Sequence, residues 1–266
     1  MAIASASPFS LEGQTILIAG GANGIGASAA AICAGLGAKL VLADVSDATP
    51  VAESLRREGH QASAASCDVT NRTAVERLVS GVGTLDAMVV CSGFCPFDDW
   101  MADDWDDVYE RTNAVNVKGT VNCVRAALPG MMERGGGRIV LVGSLAGRSG
   151  GLLSGPHYVA SKGAVGALVR WFARKGAPRN VLVNGVAPGP VDTGMIAGRD
   201  LNLAAVPLGR IARPEEIAST IAFLCSPAAS YVCGVMLDVN GGGRRCSATI
   251  SRSATRTGAR MPAPRR

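Results

Sequence analysis

Short apolar runs and longer amphipathic stretches alternate along the whole chain. The runs at 14–19, 39–44, 61–67, 85–90, 138–142, 180–186 and 235–239 are mostly Val, Ile, Leu and Ala, and several end on Gly or Asp. Such runs mark strands buried on both faces. Between them, periodic segments predict helices at 27–36, 50–58, 72–80, 104–133 and from the region of Tyr158 to about 175. The sequence Arg213-Pro-Glu-Glu opens another, with proline in the first turn and acids at the positive end. This alternation predicts an α/β fold: one doubly wound parallel sheet of about seven strands with helices on both faces. Ligands then sit at the carboxyl ends of the strands.

Two stretches carry chemistry. Near the start, Gly20-Gly-Ala-Asn-Gly24-Ile-Gly26 links the first strand to a helix. Glycines there let backbone approach a pyrophosphate, and the helix N-terminus offers free N–H groups. The second strand ends on Asp44, some twenty residues on. A carboxylate at that place accepts the hydroxyls of an adenosine ribose and repels a 2′-phosphate, which favours NAD over NADP. In mid-chain, the strand at 138–142 leads to Ser144, a Gly-rich loop and a helix presenting Tyr158 and Lys162, four residues apart on one face. A phenol beside an ammonium is a workable acid/base, and a nearby hydroxyl can hold a carbonyl or alcohol oxygen. Bringing a phenol from about 10 to neutrality takes about 4 kcal/mol of differential stabilisation.

The 266 residues suit one large domain, and 48% apolar content with 34 glycines and few aromatics fits close helix–sheet packing. The first eight residues, read as a short leader, lack a basic segment followed by an apolar one, so a cytoplasmic protein without a membrane span is expected. Eight scattered cysteines and two histidines form no metal motif and read as reduced core residues. The net charge of +5 is unevenly placed: residues 244–266 hold seven arginines and no acid, leaving 19 basic and 21 acidic side chains before them. The body is therefore slightly acidic, and the basic tail is expected to be disordered.

Taken in order, Gly20-x-x-x-Gly24-Ile-Gly26, Asp44, Asp68-Val69, Asn116, Ser144, Tyr158-x-x-x-Lys162, Pro188-Gly189 with Thr193, and Asn240-Gly-Gly resemble the short-chain dehydrogenase/reductase family over residues 9–243. The resemblance implies a Rossmann-type dehydrogenase domain and an NAD-dependent oxidoreductase interconverting a secondary alcohol and a ketone. It implies Tyr158 as general acid/base, Ser144 as holder of the substrate oxygen, and Lys162 as a ribose ligand that lowers the Tyr158 pKa. Asn116 is implied to kink the long helix and position a proton-relay water. Gly20, Asn23, Gly24, Ile25 and Gly26 are implied to line the pyrophosphate and ribose, Asp44 the adenosine ribose, Asp68 and Val69 the adenine, and Val191 and Thr193 the carboxamide. Gly93, Pro188 and Gly189 complete the cofactor contacts, and a homotetramer is the implied assembly. Three departures stand out: Ala19 where the family has Thr, Cys91 in place of an asparagine that ties adjacent strands, and the arginine tail.

The expected substrate pocket contains Phe94, Cys95, Pro96, Leu145, Leu152, Leu153, Met195 and Ile196, beneath a short lid at 194–207, with His157 a further candidate. Its apolar character points to a hydrophobic alcohol or ketone. A competing class is a dinucleotide-binding sensor or scaffold without chemistry, against which the presence of Ser144, Tyr158 and Lys162 argues. Nucleic-acid binding through the tail is disfavoured by the acidic body and the lack of a recognition module.

Overall fold

A computed structural model describes residues 7–151, 154–199, 201 and 203–243. The leader before residue 7, Leu152, Leu153 and the arginine-rich segment lie outside the described residues.

Seven strands form one parallel sheet in the order β3-β2-β1-β4-β5-β6-β7. They are β1 (Thr15–Ala19), β2 (Lys39–Asp44), β3 (Ala62–Ser66), β4 (Ala87–Val90), β5 (Gly137–Val142), β6 (Val181–Pro188) and β7 (Met236–Val239). Each expected run is present, trimmed or shifted slightly at its ends. The sheet is doubly wound: the order reverses between β1 and β4, and a crevice opens beyond their carboxyl ends.

Helices α1 (Gly24–Gly35), α2 (Thr49–Arg57) and α8 (Pro214–Cys225) cover one face. Helices α3 (Arg72–Val82), α5 (Thr120–Arg134) and α7 (Pro156–Gly176) cover the other. The strand period of two sorts the core: Ile16 and Ile18 pack with α1 and α8, while Leu17 between them packs with α5 and α7. Alanines along α1, including buried Ala29, Ala30 and Ala34, let α1 and α8 lie close.

The helix expected at 104–133 is three pieces. Helix α4 (Trp105–Asn113) passes into a π-helical turn, Ala114–Gly119, before α5. Proline is not the cause, since Pro129 sits well inside α5. At the turn, buried Asn116 spends its side chain on other elements: Oδ1 accepts from Phe94 N at 2.8 Å, and Nδ2 donates to Phe94 O and Ser161 Oγ, both at 2.9 Å. A widened turn at a functional position is the usual setting of π-bulges. The short helix α6 (Ala146–Ser149) follows β5 and crosses α7. Among the described residues no helix is long and apolar enough to cross a membrane.

Candidate active site

The chain turns from β1 into α1 through Gly20, at φ +85, where an added Cβ would stand 2.5 Å from Ser92 N. Only glycine allows β1 and the end of β4 to approach this closely. Asn23 caps α1 without a side-chain hydrogen bond, and Gly24, Ile25 and Gly26 form its first turn. Their N–H groups face the crevice end of the sheet, the arrangement that takes a phosphate. Asp44 ends β2 beside this turn, accepting from Ala22 N at 3.1 Å and Ser46 N at 3.0 Å, with acceptor capacity left on both oxygens. Asp68 and Val69 follow β3; Asp68 accepts from Thr70 N at 2.8 Å, and buried Val69 is tied to α5 through Asn122 Nδ2, which donates to its carbonyl at 2.9 Å. The donor set and the glycine cradle fit a dinucleotide laid across the switch point.

Beyond β5 and β6 lies a cavity of about 260 Å³. It gathers Ile25, Gly93, Ser144, Leu145, Tyr158, Lys162, Pro188, Gly189, Val191, Thr193 and Met195 from the sequence-predicted site, together with Cys95 and Ile196. Ser144 leaves the end of β5, and its Oγ accepts from Ala146 N at 3.1 Å. Tyr158 and Lys162 stand in the first turns of α7, both buried, with Nζ 5.7 Å from the phenol ring centre. Gly93 lies against them: a Cβ there would meet Lys162 Nζ at 3.4 Å and Asn116 Oδ1 at 3.6 Å.

Burial dominates the electrostatics of the pair. Burial pushes the Tyr158 phenol above its ordinary value, Cys95 adds to the rise, and a hydrogen bond with Ser144 opposes it. The Lys162 ammonium donates to Val142 O at 2.9 Å. Burial lowers Lys162 itself to about 8, so it stays largely charged at neutral pH. Desolvation is the largest influence on the phenol.

Three pocket expectations also change. Phe94 does not line the cavity; its backbone is clamped by Asn116 and its ring carries the Arg111 guanidinium at 4.4 Å. Phe97 takes the wall position instead, and Pro96 is not part of the wall. His157 is buried off the cavity, edge-on to Trp105 with ring centres 5.6 Å apart. The tie that the missing asparagine makes in the resembling family is made here by backbone, with Cys91 N and Ser92 N both donating to Ala19 O at 2.8 and 3.0 Å.

Sequence reasoning missed Phe97, Cys91 and the lid positions Leu201, Leu203 and Val206, which close the apolar wall. Their apolar character inside the expected lid was the available signal. It also missed Gly147, where an added Cβ would overlap the backbone of Lys162 and Gly163. Helix α6 can cross α7 behind Lys162 only because that position has no side chain.

A family model described as enoyl-(acyl carrier protein) reductase matches residues 20–243. The chain belongs to the short-chain dehydrogenase/reductase family. This short-chain dehydrogenase/reductase is 38% identical over 243 residues to the cis-4-hydroxycyclohexanecarboxylate dehydrogenase of Sinomonas cyclohexanicum, covering 86% of this chain and 96% of that one. A 3-oxoacyl-(acyl-carrier protein) reductase from Brucella melitensis, solved with bound NAD, matches with TM-score 0.82 at 29% identity, covering 91% of this chain and 97% of that one. A putative 2-deoxy-D-gluconate 3-dehydrogenase from Agrobacterium tumefaciens, with bound NADP, matches with TM-score 0.82 at 29% identity, covering 89% and 98%. The chain is thus an oxidoreductase of this family, and the reading as a catalytically silent sensor finds no support.

Proposed function

We propose that this short-chain dehydrogenase/reductase interconverts a secondary alcohol and a ketone with NAD(H), using Tyr158 as general acid/base. The observation that carries the reading is that Ser144 and Tyr158 line one mostly apolar cavity, with the buried ammonium of Lys162 beside them.

When bound, the dinucleotide supplies the carbon that takes hydride from the alcohol carbon or returns it to the ketone. The protein's own residues handle the oxygen. Ser144 holds it by hydrogen bonding, and Tyr158 takes the hydroxyl proton in oxidation and gives it back in reduction. Fixing the oxygen between two hydroxyls converts an encounter into a positioned reaction, and both donors strengthen as charge develops on the oxygen. Ionising a phenol that burial holds protonated requires a cation. Lys162 supplies it by turning its ammonium from Val142 O towards the phenol and the cofactor ribose. Asn116 holds the π-turn behind this group, on the route by which a water relays the proton outward. Asp44 receives the adenosine ribose hydroxyls and disfavours a 2′-phosphate, which supports NAD.

The assembly we infer is a homotetramer in the cytoplasm. Exposed Tyr109 on α4 and Trp171 on α7 support association through the long helices, and free cysteines throughout the described residues support a reducing compartment.

The test pairs wild type with Tyr158→Phe on cyclohexanol, a fused-ring secondary alcohol and cis-4-hydroxycyclohexanecarboxylate, each with NAD. Turnover in the variant is expected to fall about 10²–10⁴-fold, while NADH binding, followed by fluorescence, persists. Wild-type protein that binds NADH yet oxidises none of the alcohols overturns the reading.

A further inference from the structure

The cavity wall is mostly apolar, with the hydroxyl-bearing residues Ser149, Ser154 and Thr193 and the thiols Cys91 and Cys95 beside the catalytic groups, and a guanidinium stacks on one of its lining residues. Arg199 follows the lid segment that contains Met195 and Ile196, which line the cavity, and precedes Leu201, which also lines it. Its backbone N–H donates to Ile196 O at 3.1 Å. Its guanidinium carbon lies 4.2 Å from the ring centre of Phe97, which lines the cavity from the loop after β4. The stack therefore ties the lid segment to that loop beside the cavity.

A guanidinium over an aromatic ring keeps N–H donors for other partners, and its planar fork matches a carboxylate with two parallel hydrogen bonds. Among the described residues Arg199 pairs with no carboxylate, whereas Arg56, Arg72, Arg148 and Arg210 each do. Its field reaches the wall: burial lifts the Cys95 thiol to about 11, and Lys162 and Arg199 both pull against the rise.

We propose that Arg199 is the anchor for a substrate carboxylate. The substrates are then hydroxy acids and oxo acids in which a compact hydrocarbon framework separates the carboxylate from the reacting carbon. The inference rests on the alcohol/ketone reading above and specifies its substrate. Leu145, Met195, Ile196, Leu203 and Val206 make most of the wall apolar, which favours a framework that is mainly hydrocarbon. The cavity, at about 260 Å³, is smaller than the roughly 300–1,000 Å³ of pockets for drug-sized ligands, which favours a single ring or short chain.

The experiment measures kcat/KM for cis-4-hydroxycyclohexanecarboxylate and for its methyl ester, with NAD, in wild type, Arg199→Ala and Arg199→Lys, alongside NADH binding. In Arg199→Ala the acid-to-ester ratio is expected to fall about 10–100-fold, chiefly through KM for the acid. Arg199→Lys, which keeps the charge and loses the fork, is expected to recover part of the ratio. An unchanged ratio in Arg199→Ala overturns the proposal. So does weakened NADH binding with an unchanged ratio, which would assign the guanidinium to a cofactor phosphate. Wild-type enzyme that oxidises the ester as well as the acid overturns the anchor while leaving the alcohol dehydrogenase reading intact; wild type inactive on both, and on neutral alcohols, overturns that reading instead.

Discussion

Nε2 of His157 stands 3.3 Å from Oδ1 of Asp98, without the alignment of a hydrogen bond, and the imidazole is wholly buried against Trp105. The contact joins the first turn of α7, one residue before Tyr158, to the loop that supplies Cys95 and Phe97 to the cavity. Replacing the imidazole with a methyl removes the partner of a largely buried carboxylate and leaves a hole beneath the loop. His157→Ala is expected to cost about 2–3 kcal/mol in urea unfolding. Because the loop carries part of the substrate wall, KM should rise more than kcat falls. An unchanged KM beside a large loss of stability would leave the contact a purely structural one.

In the proposed NAD-dependent reading, Asp44 selects between the two dinucleotides through charge more than shape. Asp44→Asn keeps acceptor and size, and removes the negative charge at the end of β2. The ratio of NADPH to NADH affinity is expected to rise about tenfold or more, the equivalent of about 1.4 kcal/mol of relieved repulsion. Fluorescence titration with both reduced dinucleotides reads the ratio directly.

Lys162 gives a pH signature. Its folded value of about 8 lies below the ordinary 10.5 because burial disfavours the ammonium. The unfolded chain therefore binds more protons between those values, so this group's contribution to stability is lowest below pH 8 and recovers as the pH rises to 10.5. The displacement corresponds to about 3 kcal/mol, from which the hydrogen bond to Val142 O, about 1 kcal/mol, is subtracted. Lys162→Met is expected to be inactive yet about 2 kcal/mol more stable than wild type at pH 7, with the gain vanishing by pH 10.5. Buried thiols such as Cys91 and Cys123, both raised to about 12, lower the stability of both proteins above pH 9, so the comparison is of the difference between the two.

Gly147 sets how closely α6 crosses α7. A Cβ there meets backbone of Lys162 and Gly163, which cannot yield as a side-chain tip would. Gly147→Ala is expected to cost about 3 kcal/mol in denaturant unfolding. At temperatures where the variant is folded, kcat should drop more than KM rises, because the shift falls on the residue carrying the ammonium. Full activity would show that α6 can slide without moving Lys162.

The sheet was legible because its strands are short, apolar and closed by Gly or Asp, so a local pattern suffices. Asp44, Ser144, Tyr158 and Lys162 were legible because the spacing within strand ends and one helical face fixes their placement. What escaped depends on contacts between distant segments. Gly147 looks like any loop glycine until α7 is laid across it. Phe94 and Phe97 are alike in sequence; only the clamp from Asn116 decides that the first ring turns to Arg111 and the second to the cavity. The bond from Lys162 to the Val142 carbonyl escaped for the same reason: four-residue spacing brings Lys162 near Tyr158, but only the packing of α7 on β5 shows which carbonyl it meets.

The π-turn at Ala114–Gly119 makes the site depend on a count of residues. A regular α-helix through this region would advance each residue by about 100°, so one residue fewer would swing Asn116 off the Phe94 backbone and carry every later side chain of α5 round with it. A single-residue deletion anywhere within the turn is therefore a frameshift in three dimensions, with Asn122 leaving the Val69 carbonyl and the sheet-facing stripe of α5 losing its register. Conservative substitutions at the positions of the turn other than Asn116 and Gly119 leave that register untouched, whereas a Cβ at Gly119 would overlap the Val69 side chain. Apart from those two letters, the length of this segment is held more tightly than its sequence.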